Sequence, residues 1–325
     1  MTRVPWPYIL TWLGLGLLVH VALSVSYWQL VAPRHKALRS DAVVAQAPTH
    51  VRVWITGDSH PRTAIDPRGL GPAVVNAAIG GQHMTKSYYR TRTLIERHDF
   101  DVDVMIVPLD PVTLTSWNSH QYAPEMVWGQ YVDFVELAVV HSDPFRYLGY
   151  WLEAHVVPYM GELRSLNQIR TGRYGFGAGL PNGNYGAQPP RIRRQSAIES
   201  AEAHLAGGKL VDPTQAWALQ QLVTWAEARG IRLVFIRFPA ARAYALRLGE
   251  ARHAIDETIV GSIVDPERHL LLDHESLFFG RDGLFSDPHH LNGRGRTLYT
   301  FGLKRVLTER GYLTDAVSDE PPPLR

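Results

Sequence analysis

The chain has 325 residues, of which 45% are apolar, 20% charged and 10% aromatic, a composition that supports a packed core and excludes a mainly disordered chain. Lys and Arg total 33 against 31 Asp and Glu, a formal charge of +2, so the electrostatic footprint of a nucleic-acid binder is missing. Cysteine is absent, which excludes disulfides, thiolate nucleophiles, Cys-ligated zinc and iron–sulfur clusters.

The first predicted element is a membrane span at residues 8–32. No Asp, Glu, Lys or Arg lies between Arg3 and Arg34, and Trp6, Tyr8 and Trp12 near one end face Tyr27 and Trp28 near the other, as interfacial aromatic belts do. An α-helix over this stretch reaches past a hydrocarbon core of about 30 Å. A cleaved signal peptide needs a small-x-small site close behind the apolar run. Ala45-Gln46-Ala47 has that pattern but lies too far downstream, so the span is expected to stay as an anchor. Arg34, Lys36 and Arg39 follow it, and only Arg3 and the terminal amine precede it; local charge therefore leans toward a cytoplasmic body. Residues 33–50 are polar and read as a tether.

From residue 51 the pattern alternates between strands and helices. VRVWIT (51–56), AVVNAAI (73–79), VDVMIVPL (102–109), IRLVFIRF (231–238) and HLLLD (269–273) read as strands. Residues 83–98, 213–229, 240–261 and 292–310 read as helices. In the second of these, Trp217, Leu219, Leu222, Val223 and Ala226 follow the helical period, and Gly230 stops it. Strands apolar on both faces, alternating with helices, predict an α/β domain over 51–315: a parallel sheet covered by helices on both faces. Such sheets bind ligands beyond the carboxyl ends of their strands. The region of about 115–212 is rich in Trp, Tyr, His and Pro, includes GRYGFGAGLPNGNYGAQPP (172–190), and reads as an insertion. Residues 316–325 read as a disordered tail. No phosphate-binding Gly-rich loop is present.

Two motifs carry chemistry. The first strand runs into Gly57-Asp58-Ser59-His60, where a tight turn can expose the Ser hydroxyl beside backbone N–H groups. Near the other end is Asp287-Pro288-His289-His290, in which a carboxylate and an imidazole three apart can orient and deprotonate a serine. Each alone also reads blandly: a turn entering a helix, and two surface histidines beside a helix capped by Asp287 or Asn292. A Gly-Asp-x-His string also occurs at metallophosphoesterase sites, but these need further ligand strings such as Gly-Asn-His, and Asn182-Gly183-Asn184 is not one.

Together the motifs resemble the SGNH (GDSL-type) hydrolase superfamily. Gly57-Asp58-Ser59 is similar to its block I, Asn76-Ala77-Ala78-Ile79-Gly80-Gly81 to block II, and Asp287-Pro288-His289-His290 to block V. The resemblance implies a flavodoxin-like three-layer fold. It implies Ser59 as nucleophile, His290 as base and Asp287 as its orienting partner, with oxyanion N–H groups from Ser59 and from Gly81 in preference to Gly80. Asp58, His60, Asp110 and His289 are candidate pocket residues. No metal and no cofactor are expected. Block III departs from the pattern: Val107-Pro108-Leu109-Asp110-Pro111 stands where Gly-x-Asn-Asp is expected, so the family's Asn oxyanion donor is missing. With the anchor, this looks like the membrane-bound branch that includes the teichoic acid D-alanine transfer protein and alginate O-acetylation proteins. That branch implies a domain outside the cytoplasmic membrane, acting as esterase or O-acyltransferase on acyl esters of a polysaccharide beside a multi-spanning acyltransferase. The alternative is an inactive SGNH-like protein that binds glycan or an assembly partner.

Overall fold

A computed structural model describes residues 6–31, 36–118, 131–133, 135–136, 144–157 and 183–313. The chain divides into two compact units, Met1–Ser40 with Ala123–Gly177, and Asp41–Tyr122 with Ala178–Arg325.

In the first unit, helix α1 (Trp6–Ser26) runs on through a π-helical turn at Tyr27–Val31. An uncharged Leu- and Val-rich segment gains from a helix because each backbone group is then satisfied internally. The stretch Trp6–Leu30, 25 residues with a mean hydropathy of 1.9, is long and apolar enough to cross a membrane. The same unit holds a helix at Pro144–His155. Helix α2 (Lys36–Val44) occupies part of the span expected as a tether.

The second unit is built on a five-stranded sheet. Strand β1 (His50–Ile55) leads into short helices α3 (Ser59–Ala64) and α4 (Pro67–Leu70), then strand β2 (Val74–Asn76), helix α5 (Met84–His98) and strand β3 (Asp101–Pro108). Helix α6 (Pro111–Leu114) follows, then α7 (Pro190–Leu205), α8 (Pro213–Glu227), β4 (Arg232–Arg237), α9 (Arg242–Arg247), α10 (Gly249–Thr258) and β5 (Leu270–Asp273). A two-stranded ribbon, β6 (Phe285–Asp287) and β7 (His290–Leu291), precedes the last helix, α11 (Gly293–Glu309).

The sheet order is β2-β1-β3-β4-β5, with every pair parallel. Val53 and Ile55 alternate with Trp54, Val104 and Ile106 with Met105, and Val234 and Ile236 with Phe235, and all are fully buried. Side chains alternate across a strand, so both faces are covered, as the unbroken apolar strands require. One face packs Ile65, Leu70, Tyr299, Leu303 and Leu307 into a continuous core, each such side chain contributing roughly 1.5–3 kcal/mol on burial.

The expected strands agree with the observed ones to within a few residues, the widest gap being at β2. The expected helix at 240–261 is two helices. Leu248 donates its N–H to the Tyr244 and Ala245 carbonyls and is itself buried, so the turn into α10 keeps the apolar residues inside. The described ends of the region expected as an insertion are tied to each other, and its last residue is tied to α6. Thr115 Oγ1 donates to the His204 carbonyl at 3.1 Å, and the Asp212 N–H donates to the Leu114 carbonyl at 2.8 Å. Residues 172–182 of that region and the tail at 316–325 lie outside the described residues.

Candidate active site

The elbow after β1 is built around Gly57, at φ +116. A methyl there would collide with the Pro108 ring at the end of β3, so only glycine passes this point and turns. Asp58 then caps α3, its Oδ1 accepting the His60 N–H at 2.9 Å. Ser59 is thereby fixed as the first residue of the helix. Pro61 sits in the first turn, where its missing N–H costs nothing. Asn76, at the end of β2, ties this helix to the next loop. Its side-chain amide donates to the Pro61 and Ile65 carbonyls at 3.2 and 3.1 Å.

The β6–β7 ribbon brings Asp287 opposite His290. Asp287 Oδ1 accepts the His289 and His290 N–H groups, each at 3.0 Å, and its Oδ2 lies 2.8 Å from His290 Nδ1. His290 Nε2 lies 2.7 Å from Ser59 Oγ. A link across 231 residues of chain thus closes a Ser–His–Asp relay. The network assigns the tautomer: Nδ1–H donates to the carboxylate, and Nε2 accepts the hydroxyl proton. Burial pushes the Asp287 carboxyl up, but the His290 hydrogen bond and charge and the two backbone N–H groups outweigh it and hold the group below its ordinary value.

Beside the relay lies a second pair, His60 Nδ1 and Asp110 Oδ2, 3.0 Å apart and buried. Asp110 Oδ1 also accepts the Phe238 N–H at 2.8 Å, so one carboxylate joins the ends of β3 and β4. Burial pushes His60 down, yet the Asp58 and Asp110 charges, the Asp110 hydrogen bond and the Asp287 charge raise it to about 9. Asp58 is raised above its ordinary value, by burial first and by Asp110, against the lowering pull of His60. Both oxygens of Asp110 accept, so this side chain is not a donor to the site.

His289 stacks on Tyr244, with ring centroids 4.9 Å apart and planes at 19°, and meets His204 edge-on at 5.0 Å. Burial, with the His290, His60 and His204 charges, holds it well below the ordinary histidine value. Its Nδ1 is buried without a hydrogen-bond partner among the described residues; Asp287 Oδ1, at 3.5 Å, is too far to serve. His204 Nδ1 shares a 2.7 Å hydrogen bond with the Tyr244 hydroxyl, and burial, with the His60 and His290 charges, lowers it to about 3.

His204 and Tyr244 belong to this cluster and escaped the sequence reading. The only signal for His204 was the spacing Ala197, Ala201, His204, which marks the buried stripe of α7. Gly80 and Gly81 lie in the loop after β2, with Gly81 at φ +82. Arg90 anchors this loop by donating to the Ala77 carbonyl, while its Nε donates to Asp41 Oδ1 at 2.8 Å.

The structure therefore gathers Ser59, Asp287, His290, Asp58, His60, Asp110 and His289 at the carboxyl ends of the strands. A cavity of about 830 Å³ is lined by Tyr185, Arg193, Arg194, Ala241, Arg242 and Phe279, among others, and by none of these seven residues. One lining residue, Ala241, donates its N–H to the Pro288 carbonyl at 2.8 Å, in the turn between β6 and β7. The arrangement can deprotonate a serine hydroxyl and hold the resulting imidazolium. Against known proteins, the chain matches no family model and no curated sequence.

Proposed function

We propose that this protein is a membrane-anchored SGNH-type serine esterase or O-acyltransferase acting on acyl esters of an exported polysaccharide. The observation that carries this reading is the relay itself, Ser59 Oγ to His290 Nε2 at 2.7 Å and His290 Nδ1 to Asp287 at 2.8 Å. Ser59 Oγ attacks the ester carbonyl and passes its proton to His290 Nε2. The backbone N–H groups of Ser59 and Gly81 receive the oxyanion. Collapse expels the alcohol, which takes the proton from His290 and leaves an acyl-Ser59. Water then completes hydrolysis, or a sugar hydroxyl completes transfer, with His290 again taking the proton. The Arg-lined cavity beside the ribbon is where we seat the glycan. The same reading puts helices on both faces of the sheet, as in the family's three-layer fold. It also puts the α/β unit on the extracytoplasmic side, since large domains translocate largely regardless of flanking charge, where a multi-spanning acyltransferase would supply the acyl group.

One observation favours a second reading, an inactive glycan-binding or assembly protein. Asp110 replaces the Asn donor, and loss of one oxyanion donor costs about 10²–10³ in rate.

Labelling of the full-length chain in detergent with a fluorophosphonate, read by intact mass, separates the two. A single adduct that disappears in Ser59→Ala supports an activated nucleophile. No adduct on folded protein overturns the enzyme reading in favour of the binding one.

A further inference from the structure

We propose that His60, His289 and His290 together bind a divalent transition-metal ion of the zinc class. Each offers one ring nitrogen, and these lie within 4.8 Å of one another. Tetrahedral zinc with Zn–N bonds of about 2.1 Å wants ligand nitrogens about 3.4 Å apart, so the rings must turn inward to close on the ion. The other nitrogens are already committed as a metal site requires. His60 Nδ1 is held by Asp110 at 3.0 Å and His290 Nδ1 by Asp287 at 2.8 Å, leaving Nε2 of each as the ligand atom, with His60 releasing its Nε2 proton to solvent as the ion binds. A carboxylate behind a metal-binding imidazole fixes its tautomer and orientation.

His289 supplies the independent observation. Its buried Nδ1 has no hydrogen-bond partner among the described residues, and an orphaned buried polar atom costs free energy until something bonds to it. A coordinated ion removes that cost. The charge of the ion is met by Asp110 and Asp287, which are hydrogen-bonded to two of the rings. The fourth position falls to water or to Ser59 Oγ, 2.7 Å from His290 Nε2.

Binding stands on this geometry alone. A consequence follows that rests on the acyl-transfer reading: the His290 Nε2 lone pair cannot take the serine proton and hold the ion together, so occupancy switches the nucleophile off.

The test uses the full-length chain in detergent, without a polyhistidine tag, stripped by chelator. Zinc alone is added in equilibrium dialysis, and cobalt alone is followed by its visible absorption. One ion per chain is expected. His253→Ala, on the surface, should match wild type. His289→Phe, which keeps the stack on Tyr244, should weaken binding tenfold or more. Should that variant not fold, Asp110→Asn takes its place, with a loss of about 10–100-fold expected for a residue that orients a ligand. Zinc-loaded wild type should resist fluorophosphonate, and metal-free protein should react. No stoichiometric ion, or equal affinity in His289→Phe, overturns the site. Zinc binding without labelling of the metal-free protein leaves the metal site standing and removes the serine reading; labelling without zinc binding does the reverse.

Discussion

Asp287 serves two ends with two oxygens, one for the His289 and His290 N–H groups and one for the His290 ring. In Asp287→Asn the amide oxygen can keep the backbone bonds. Its NH2 then faces Nδ1 and forces the proton onto Nε2, where no lone pair is left to accept from Ser59. We expect the fluorophosphonate rate to fall by about 10⁴, the size of a wrong-tautomer defect, while the melting temperature changes little. A rate within tenfold of wild type would show that the relay does not activate Ser59. At this scale the sequence was informative where the chemistry is local. Asp287 and His290 sit three apart, and Gly57-Asp58-Ser59 is contiguous. It was silent on the pairing of His60 with Asp110, 50 residues away, and of His204 with Tyr244, 40 residues away. Those pairs are set by strand and helix packing, which leaves no fixed spacing to read.

The elements that aim the serine are short, so their anchors matter. Gly57 combines φ +116 with contact against Pro108. We expect Gly57→Ala to cost about 1–3 kcal/mol from backbone strain alone, more with the collision, read as a lower urea midpoint together with slower labelling. Arg90 is the anchor of the loop after β2. It is almost fully buried and holds both Asp41 of α2 and the Ala77 carbonyl. A lysine ammonium cannot match that fork, so Arg90→Lys leaves Asp41 poorly paired. We expect a loss approaching the 3–5 kcal/mol typical of a broken buried pair. Labelling should slow as well, because the loop carrying Gly80 and Gly81 loses its tie; a destabilised variant that labels at the wild-type rate would remove that loop from the oxyanion site. Buried apolar strands were easy to find at this scale. Helix α7 was not, because its buried stripe is Ala197, Ala201 and His204, too weakly apolar to stand out. The division of 240–261 at Leu248 was hidden because both pieces keep the same apolar residues inside.

Across the whole molecule, alternation in the sequence implied a parallel sheet but could not order its strands, since pairing is decided by contacts far apart in the chain. The observed order β2-β1-β3-β4-β5 reverses direction between β1 and β3, the crevice where such sheets bind ligands. Ser59 follows β1 and Asp110 follows β3, so the site falls where topology opens the sheet. The fold also buries His83 and His274, and these add to His204 and His289 in setting its response to acid. His83 caps α5; burial holds it well below the ordinary value, helped by Lys86 and opposed by a hydrogen bond that the ring donates to Gln215 of α8. His274, after β5, shares a 3.0 Å hydrogen bond with the Tyr299 hydroxyl and is held down by burial against the pull of Asp273. In the unfolded chain both protonate near pH 6.5; in the folded protein they do so only at lower pH. Below about pH 6.5 the unfolded state therefore binds more protons, and stability falls as pH falls toward the folded values. His60, raised to about 9, has the opposite sign. Its contribution is complete below about pH 6.5 and is lost as pH rises through 9, so it adds little slope in the acid window. We expect the urea midpoint of the full chain to drop between pH 7 and pH 5, and the slope to be shallower in His83→Gln and in His274→Gln. A midpoint that holds steady over this range would mean that these rings are not kept neutral by the fold.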